Sequence, residues 1–368
     1  MLLHRETEKA LYSVIVAPKD TREDHANFDC RPEVEYLDFQ KVDPPQDNSP
    51  SNISSQESLP REYQTQDPSN INILRKFVES KKNIIQDQDA KNEFVKNRLY
   101  EFYKLAQSIY ESIGPWAADW YISKVFEKLK GSGNNFNPYC RVNEEDKDHL
   151  VKTMQSLPFV DISYDPESIE KGLSKKTSCL IDCLLKHHEK WRSQDDFFSG
   201  MIFVKERTTA VILTEVLKNH PKTRRFFTAG TVIGQNGGSR KGKILNMSSE
   251  FLIEEGAKVL QDFNESTKNL IVTTAVCEEG IDIQACCCVI RWDPPDNYIS
   301  YRQSKGRARR KGSSLIMMVR TSDKDETEKK VTKWEEEEIR NNSRLLAYRE
   351  APEDYKDQSL KYVVPTTG

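Results

Sequence analysis

The chain has 368 residues, enough for two or three domains. Hydrophobic residues make up 36% and charged residues 31%, which suits a helix-rich protein with a large polar surface and at least one packed core. Net charge is −3, so the overall balance points to no polyanion. No apolar run approaches a membrane span, and the first residues lack an apolar signal core, which argues against secretion. Eight cysteines without framework spacing fit a reducing compartment, cytoplasmic or nuclear.

In chain order, residues 1–42 read as a polar linker followed by one strand, because Arg31 to Phe39 alternates at period two around Val34 and Tyr36. Residues 43–70 are rich in Pro, Ser, Asn, Gln and Asp and read as a flexible insertion. Residues 71–192 carry apolar residues at helical spacing, including Phe94, Leu99, Phe102, Leu105 and Ile109. Gly114-Pro115 breaks that helix and restarts the next, which carries Trp116, Trp120 and Tyr121. Further helices begin near Glu144 and near Lys175, so this part is an all-α bundle.

From 193 to 322 the texture changes. Strands are expected at Met201–Val204, Arg224–Thr228, Leu270–Thr274, Cys286–Arg291 and Ser314–Val319. Helices are expected at Thr208–Lys218, Ser248–Phe263 and Asn297–Lys305, with a Gly-rich loop from Gly230 to Gly242. Strands alternating with helices predict an α/β fold with a parallel sheet and crossover helices. Residues 323–368 begin with a long charged helix, read as a solvated arm and, alternatively, as a strut for a partner.

Two segments carry chemistry. Thr273-Thr-Ala-Val-Cys-Glu-Glu-Gly-Ile-Asp-Ile283 follows an apolar strand and contains a glycine turn. Thr273 or Thr274 can bind a backbone phosphate, Gly280 lets the chain approach a nucleotide, and Asp282 can accept from a ribose hydroxyl. Gln303-Ser-Lys-Gly-Arg-Ala-Arg-Arg310 is an arginine comb before a strand. Guanidinium groups can engage a γ-phosphate bidentately. On a continuing helix Arg307 and Arg310 share a face, with Arg309 adjacent and Gln303 one turn earlier.

Other patterns weigh less. Gly237-Gly-Ser-Arg-Lys-Gly-Lys243 has Walker spacing, but Ile244 stands where a magnesium-binding hydroxyl belongs. Gly237, Gly238, Arg240 and Lys243 read better as a loop facing nucleic-acid phosphates. Cys179, Cys183, His187 and His188 lie among Leu180, Ile181, Leu184 and Leu185, which favours a core helix over a metal site. Cys286 to Cys288 read as buried strand residues, and Trp116 and Trp120 as core.

The ordered set resembles the second motor lobe of superfamily-two helicases, and within them the Dicer-like branch. Phe203-Val-Lys-Glu-Arg207, Gly234-Gln-Asn-Gly-Gly238, Thr273–Ile283 and Tyr301-Arg-Gln-Ser-Lys-Gly-Arg-Ala-Arg309 carry the resemblance, and Gly114-Pro-Trp-Ala-Ala-Asp119 is similar to a run in fungal Dicer-like proteins. It implies a RecA-like parallel-sheet lobe with an inserted helical bundle and a C-terminal helical arm. It implies ATP held between two lobes, with Mg2+ and the phosphates on the first lobe. Gly280, Asp282, Gln303, Arg307 and Arg310 would face the nucleotide, with Arg309 beside them. Lys205, Arg207, Thr273, Thr274 and the Gly-rich loop would face double-stranded RNA.

The family works in RNA silencing and antiviral defence, sometimes with accessory RNA-binding proteins. Lys305 departs from the family's usual Arg. No Walker loop, Asp-Glu-x-His or RNase III carboxylate pair is found, so the chain is expected to begin after the first lobe and stop before any nuclease, and to be catalytically incompetent alone. Two rivals stay open: a non-catalytic duplex-RNA-binding or regulatory module, and a DNA-repair helicase fragment of the archaeal and Fanconi-type branch.

Overall fold

A computed structural model of the chain describes residues 32–39, 69–82, 90–131, 144–233, 256–274 and 283–350. Strand β1 (Glu33–Phe39) comes first. Six helices follow: α1 (Asn70–Lys82), α2 (Ala90–Ser112), α3 (Pro115–Gly131), α4 (Glu144–Ser156), α5 (Pro166–Lys171) and α6 (Lys175–Arg192). Then come β2 (Gly200–Phe203), α7 (Arg207–Asn219), β3 (Ala229–Val232), α8 (Gly256–Asn264), β4 (Leu270–Thr273) and β5 (Cys288–Arg291). The series ends with α9 (Tyr298–Lys305), β6 (Ser314–Arg320) and α10 (Lys324–Glu350).

The strands form one parallel sheet in the order β1-β6-β5-β2-β4-β3. Its inner strands are short apolar runs buried on both faces, as a sheet covered by helices on both sides requires. Alternation along each strand splits the core in two. Ile202, Val272, Ile290 and Met318 face the bundle and join one cluster with Leu99, Trp120 and Leu184. Met201, Phe203, Ile271, Val289 and Met317 face the other way, packing with Phe263, Tyr301 and Val331. The bundle and the sheet therefore share one continuous core.

β1 lies at the sheet edge and pairs with β6 from Glu33↔Ser314 to Phe39↔Arg320. The first and last strands are neighbours, and the helical bundle occupies the chain between β1 and β2. The break at Gly114 has a steric cause. Its φ is +135°, and a Cβ there would lie 2.4 Å from the Gly172 carbonyl and 2.6 Å from the Ser174 amide. α5 was not expected from the sequence. Asp165 caps it by accepting from the Glu167 and Ser168 amides, with Pro166 in its first turn.

Four expectations are corrected. The strand expected at 224–228 is a turn, and β3 starts at Ala229. Asn269 fixes that turn: its Oδ1 accepts from the Thr228 amide at 2.8 Å and its Nδ2 donates to the Phe226 carbonyl at 2.7 Å. Asn70, placed in the polar insertion, opens α1 and is buried, donating to Ser123 Oγ and to the Val160 carbonyl at 2.9 Å each.

The arginine comb is not a continuing helix. α9 ends at Lys305 with Gly306 as its C-cap, so Arg307 and Arg310 share no helical face. Lastly, α10 is not a fully solvated arm, since Val331 is buried and Trp334 packs against the second core. The segment 43–68, and the helix expected from Ser248 up to residue 255, lie outside the described residues.

Candidate functional site

α9 is capped by Asn297, whose side chain accepts from the Ser300 amide at 2.9 Å. It runs from the carboxyl end of β5 toward the amino end of β6. Tyr301 is fully buried on it, and its hydroxyl donates to Glu335 of α10 at 2.6 Å. Lys305 Nζ donates to the same carboxylate at 2.9 Å and lies 3.6 Å from Glu338. The Tyr301 and Trp334 rings are 5.7 Å apart. Burial, and then the Glu335 hydrogen bond, hold the Tyr301 phenol well above its usual range. Burial, followed by Glu328 and Glu335, pushes the Tyr36 phenol on β1 up to about 12.

Beyond Gly306 the chain turns into a loop pinned by its backbone. The Arg307 amide donates to the Ser304 carbonyl at 3.1 Å, and the Arg307 carbonyl accepts from the Cys286 amide at 3.0 Å. A bridge between Cys286 and Ala308 continues this contact. Arg307 is only 7% exposed. Cys286, three residues past the Thr273–Ile283 segment, thus meets the arginine loop at the amino edge of the sheet, and Ile283 shares a core cluster with Ala308. Asp282 and Gly280 lie just outside the described residues, as do Gly237, Gly238, Arg240 and Lys243.

The three arginines have different surroundings. Arg309 is exposed, and its Nε donates to the Gly306 carbonyl at 2.6 Å. Arg310 is engaged on several sides. It pairs with Asp196, donates to the Phe197 carbonyl, lies 3.4 Å from Ser199 Oγ, and stacks 4.5 Å over the buried Trp191 ring of α6. The hydrogen bond from Arg310 holds the Asp196 carboxyl below its usual range. Gln303 is half-buried on α9.

Of the residues expected to face nucleic acid, the four that are described sit elsewhere. Thr273 and Thr274 are buried at the carboxyl end of β4, and the Thr273 hydroxyl donates to the Thr274 carbonyl at 2.9 Å. Lys205, exposed after β2, donates its amide to Asp293 at 3.0 Å and its ammonium to Asp296 at 2.6 Å. Arg207 opens α7 and is half-buried. The sheet brings Lys205, Arg207, Thr273 and Thr274 to its carboxyl edge and the arginine loop to its amino edge. Sequence reasoning missed Trp191, Asp196, Glu335 and Glu338. Glu335 to Glu338 lie in the long charged helix expected there, but only its docking on α9 shows what they do.

Metal chemistry finds little here. Among the described residues, no group of three or more His, Cys, Asp or Glu side chains could hold an ion. His187 is buried, 3.5 Å from Glu35, and burial holds its imidazole below its usual range. Cys183 and Cys286 to Cys288 are buried, and burial pushes the Cys183 thiol up to about 12. No helix among the described residues is long and apolar enough to cross a membrane.

A six-stranded parallel sheet bearing these two segments at its edges is a RecA-like helicase lobe. The helicase conserved C-terminal domain family matches residues 175–312. Across the wider chain, Dicer-like protein 2 of Neosartorya fischeri is 30% identical over 342 residues, covering 89% of this chain and 23% of that protein. Dicer-like protein 2-1 of Aspergillus niger is 32% identical over 269 residues, covering 72% of this chain and 17% of that protein. The chain thus carries a helicase C-terminal domain and is similar to fungal Dicer-like proteins over that domain and the helices that precede it. It spans less than a quarter of the length of these relatives. Among solved structures, the Hef helicase domain of Pyrococcus furiosus has a TM-score of 0.33 at 17% identity, covering 71% of this chain and 48% of that one.

Proposed function

We propose that this chain serves as the second lobe of an ATP-driven RNA helicase module in RNA silencing and antiviral defence. Its arginine loop would supply positive charge to a triphosphate that a first RecA-like lobe holds together with Mg2+. The observation that carries this reading is Arg307, a buried residue whose backbone is held by hydrogen bonds to Ser304 and to Cys286, three residues past the 273–283 segment. A charge already oriented in a low-dielectric setting stabilises developing phosphate charge without reorganising. Exposed Arg309 offers a second cation on the same loop, and half-buried Gln303 a polar group one turn before it. Arg310, engaged by Asp196 and Trp191, is assigned the work of holding the loop.

Gly280 and Asp282 are proposed to bound the nucleotide. Lys205, Arg207, Thr273 and Thr274 at the other edge, together with Gly237, Gly238, Arg240 and Lys243 of the Gly-rich loop, are proposed to face double-stranded RNA, with accessory RNA-binding proteins as further partners.

The test supplies the first lobe, in cis or in trans, and measures RNA-stimulated ATP hydrolysis. Arg307→Ala is expected to lower the rate by about 10³-fold or more, the scale of an arginine finger. The chain alone is expected to hydrolyse almost nothing. Robust RNA-stimulated hydrolysis by the purified chain, lost in Arg307→Ala, would overturn the two-lobe reading.

A further inference from the structure

We propose that the amino edge of the sheet carries a docking surface for single-stranded nucleic acid, built from the end of α6, the segment 193–198 and the turn 221–228. This surface is independent of the role given to Arg307, and it lies on the opposite edge from Thr273 and Lys205. β2 alone separates the edges by about 13 Å of strand.

Two large rings stand in solvent there, Phe197 at 43% and Phe226 at 39% exposure. Their backbones are anchored. The Phe226 carbonyl is held by Asn269, and the Phe197 carbonyl by Arg310. Behind them, His188 of α6 bridges the two segments, 4.9 Å from the Phe226 ring and 5.8 Å from Phe198. Phe198 and Phe227 meet edge-on at 5.3 Å. The exposed rings are thus borne by a rigid aromatic base.

Charge surrounds them. Arg192 lies one helical turn beyond His188, and Arg224 and Arg225 precede Phe226. All three are exposed, and none forms an ion pair among the described residues. Their neighbours differ: Lys222 pairs with Glu170, and Arg310 with Asp196. Glu189, Asp195 and Asp196 are the acids in the same segments; Asp196 is paired with Arg310, and the three arginines outweigh the other two.

Guanidinium groups that need an anion, beside flat rings that need a partner, match a chain of phosphates and unstacked bases. An acidic peptide would satisfy the arginines and leave the rings bare. A duplex keeps its bases stacked and out of reach.

The test is fluorescence anisotropy on the full chain with a labelled 12-residue oligouridine at low salt. Phe197→Leu with Phe226→Leu, which keeps apolar bulk but removes the π faces, is expected to weaken binding about tenfold. Arg224→Glu with Arg225→Glu is expected to do at least as much, whereas Lys333→Glu on the exposed face of α10 changes little. Unlabelled blunt duplex RNA should displace the strand poorly. Parent-like binding by both double variants would overturn the proposal. So would displacement by poly-glutamate combined with indifference to the Phe changes, which would assign the surface to an acidic protein. Equal displacement by duplex would merge it with the other edge and also reject it.

Discussion

The Tyr301 hydroxyl donates to Glu335 across 2.6 Å, and this bond ties the helix that carries the arginine loop to the C-terminal helix. Lys305 shares the same carboxylate, so one acidic side chain on α10 satisfies two groups on α9. Glu335→Ala leaves the buried Tyr301 hydroxyl without that acceptor. We expect a loss of about 1–3 kcal/mol, the usual cost of stranding a buried polar group. Glu335→Gln retains an acceptor for Tyr301 and should lose less. Chemical denaturation of the three proteins side by side checks the ranking; Gln as damaging as Ala would contradict it.

Arg310 joins the loop to α6 and to the segment before β2. Its stacking on Trp191 and its hydrogen bonds need a planar fork, so Arg310→Lys should behave like Arg310→Ala. Hydrogen–deuterium exchange over residues 306–313 should rise about tenfold in both, as a loop that loses its anchor opens more often. Exchange unchanged in Arg310→Ala would remove its anchoring role.

Asp119 predicts a pH effect. Its Oδ1 accepts from the Ile71 amide at 2.9 Å, at the start of α1. Burial nevertheless dominates and raises its carboxyl to about 7, from an ordinary 3.8. The folded chain therefore keeps this proton to higher pH than the unfolded chain. Between about pH 4 and pH 7 the native state binds more protons, so this group's contribution to stability falls as pH rises. The effect is at most a few kcal/mol. Asp119→Asn keeps an acceptor oxygen and should flatten that part of the profile. Urea midpoints at pH 5 and pH 7.5 give the comparison, and an unchanged slope in the variant would refute the assignment.

Gly114→Ala tests the hinge between α2 and α3. An added Cβ would lie within 2.8 Å of three backbone atoms of residues 172–174, on a residue with φ +135°. Backbone cannot move aside as a flexible side chain can, so the expected cost is about 3 kcal/mol or more. Soluble yield and thermal midpoint report it, and a wild-type midpoint would contradict the packing described.

Much of the fold was legible where local pattern and tertiary role agree. The alternation at 33–39, the apolar runs of β2 and β4 and the Asn297 cap each declare themselves within a few residues. The failures share a different cause. Arg224 to Thr228 reads as a strand until Asn269, far along the chain, takes the backbone groups of the turn. β3 itself is Ala-Gly-Thr-Val, and Gly230 is there because a Cβ would come 2.5 Å from Val259.

At the site, the composition of 303–310 was plain, but its geometry was not. Gly306 ends the helix, and the different surroundings of Arg307 and Arg310 depend on Cys286, Trp191 and Asp196. Such partners are set by the sheet order, which no local window contains.

The pairing of β1 with β6 bears on how the protein is made. On the ribosome, β1 emerges long before β6, its neighbour among the described strands, because the helical bundle and the other strands lie between them. At ordinary elongation rates that delay is on the order of tens of seconds. Throughout it, the half-apolar ribbon Val34-Glu-Tyr-Leu37 lacks β6 as a partner, so nascent chains stalled before residue 314 should be the ones most in need of a chaperone.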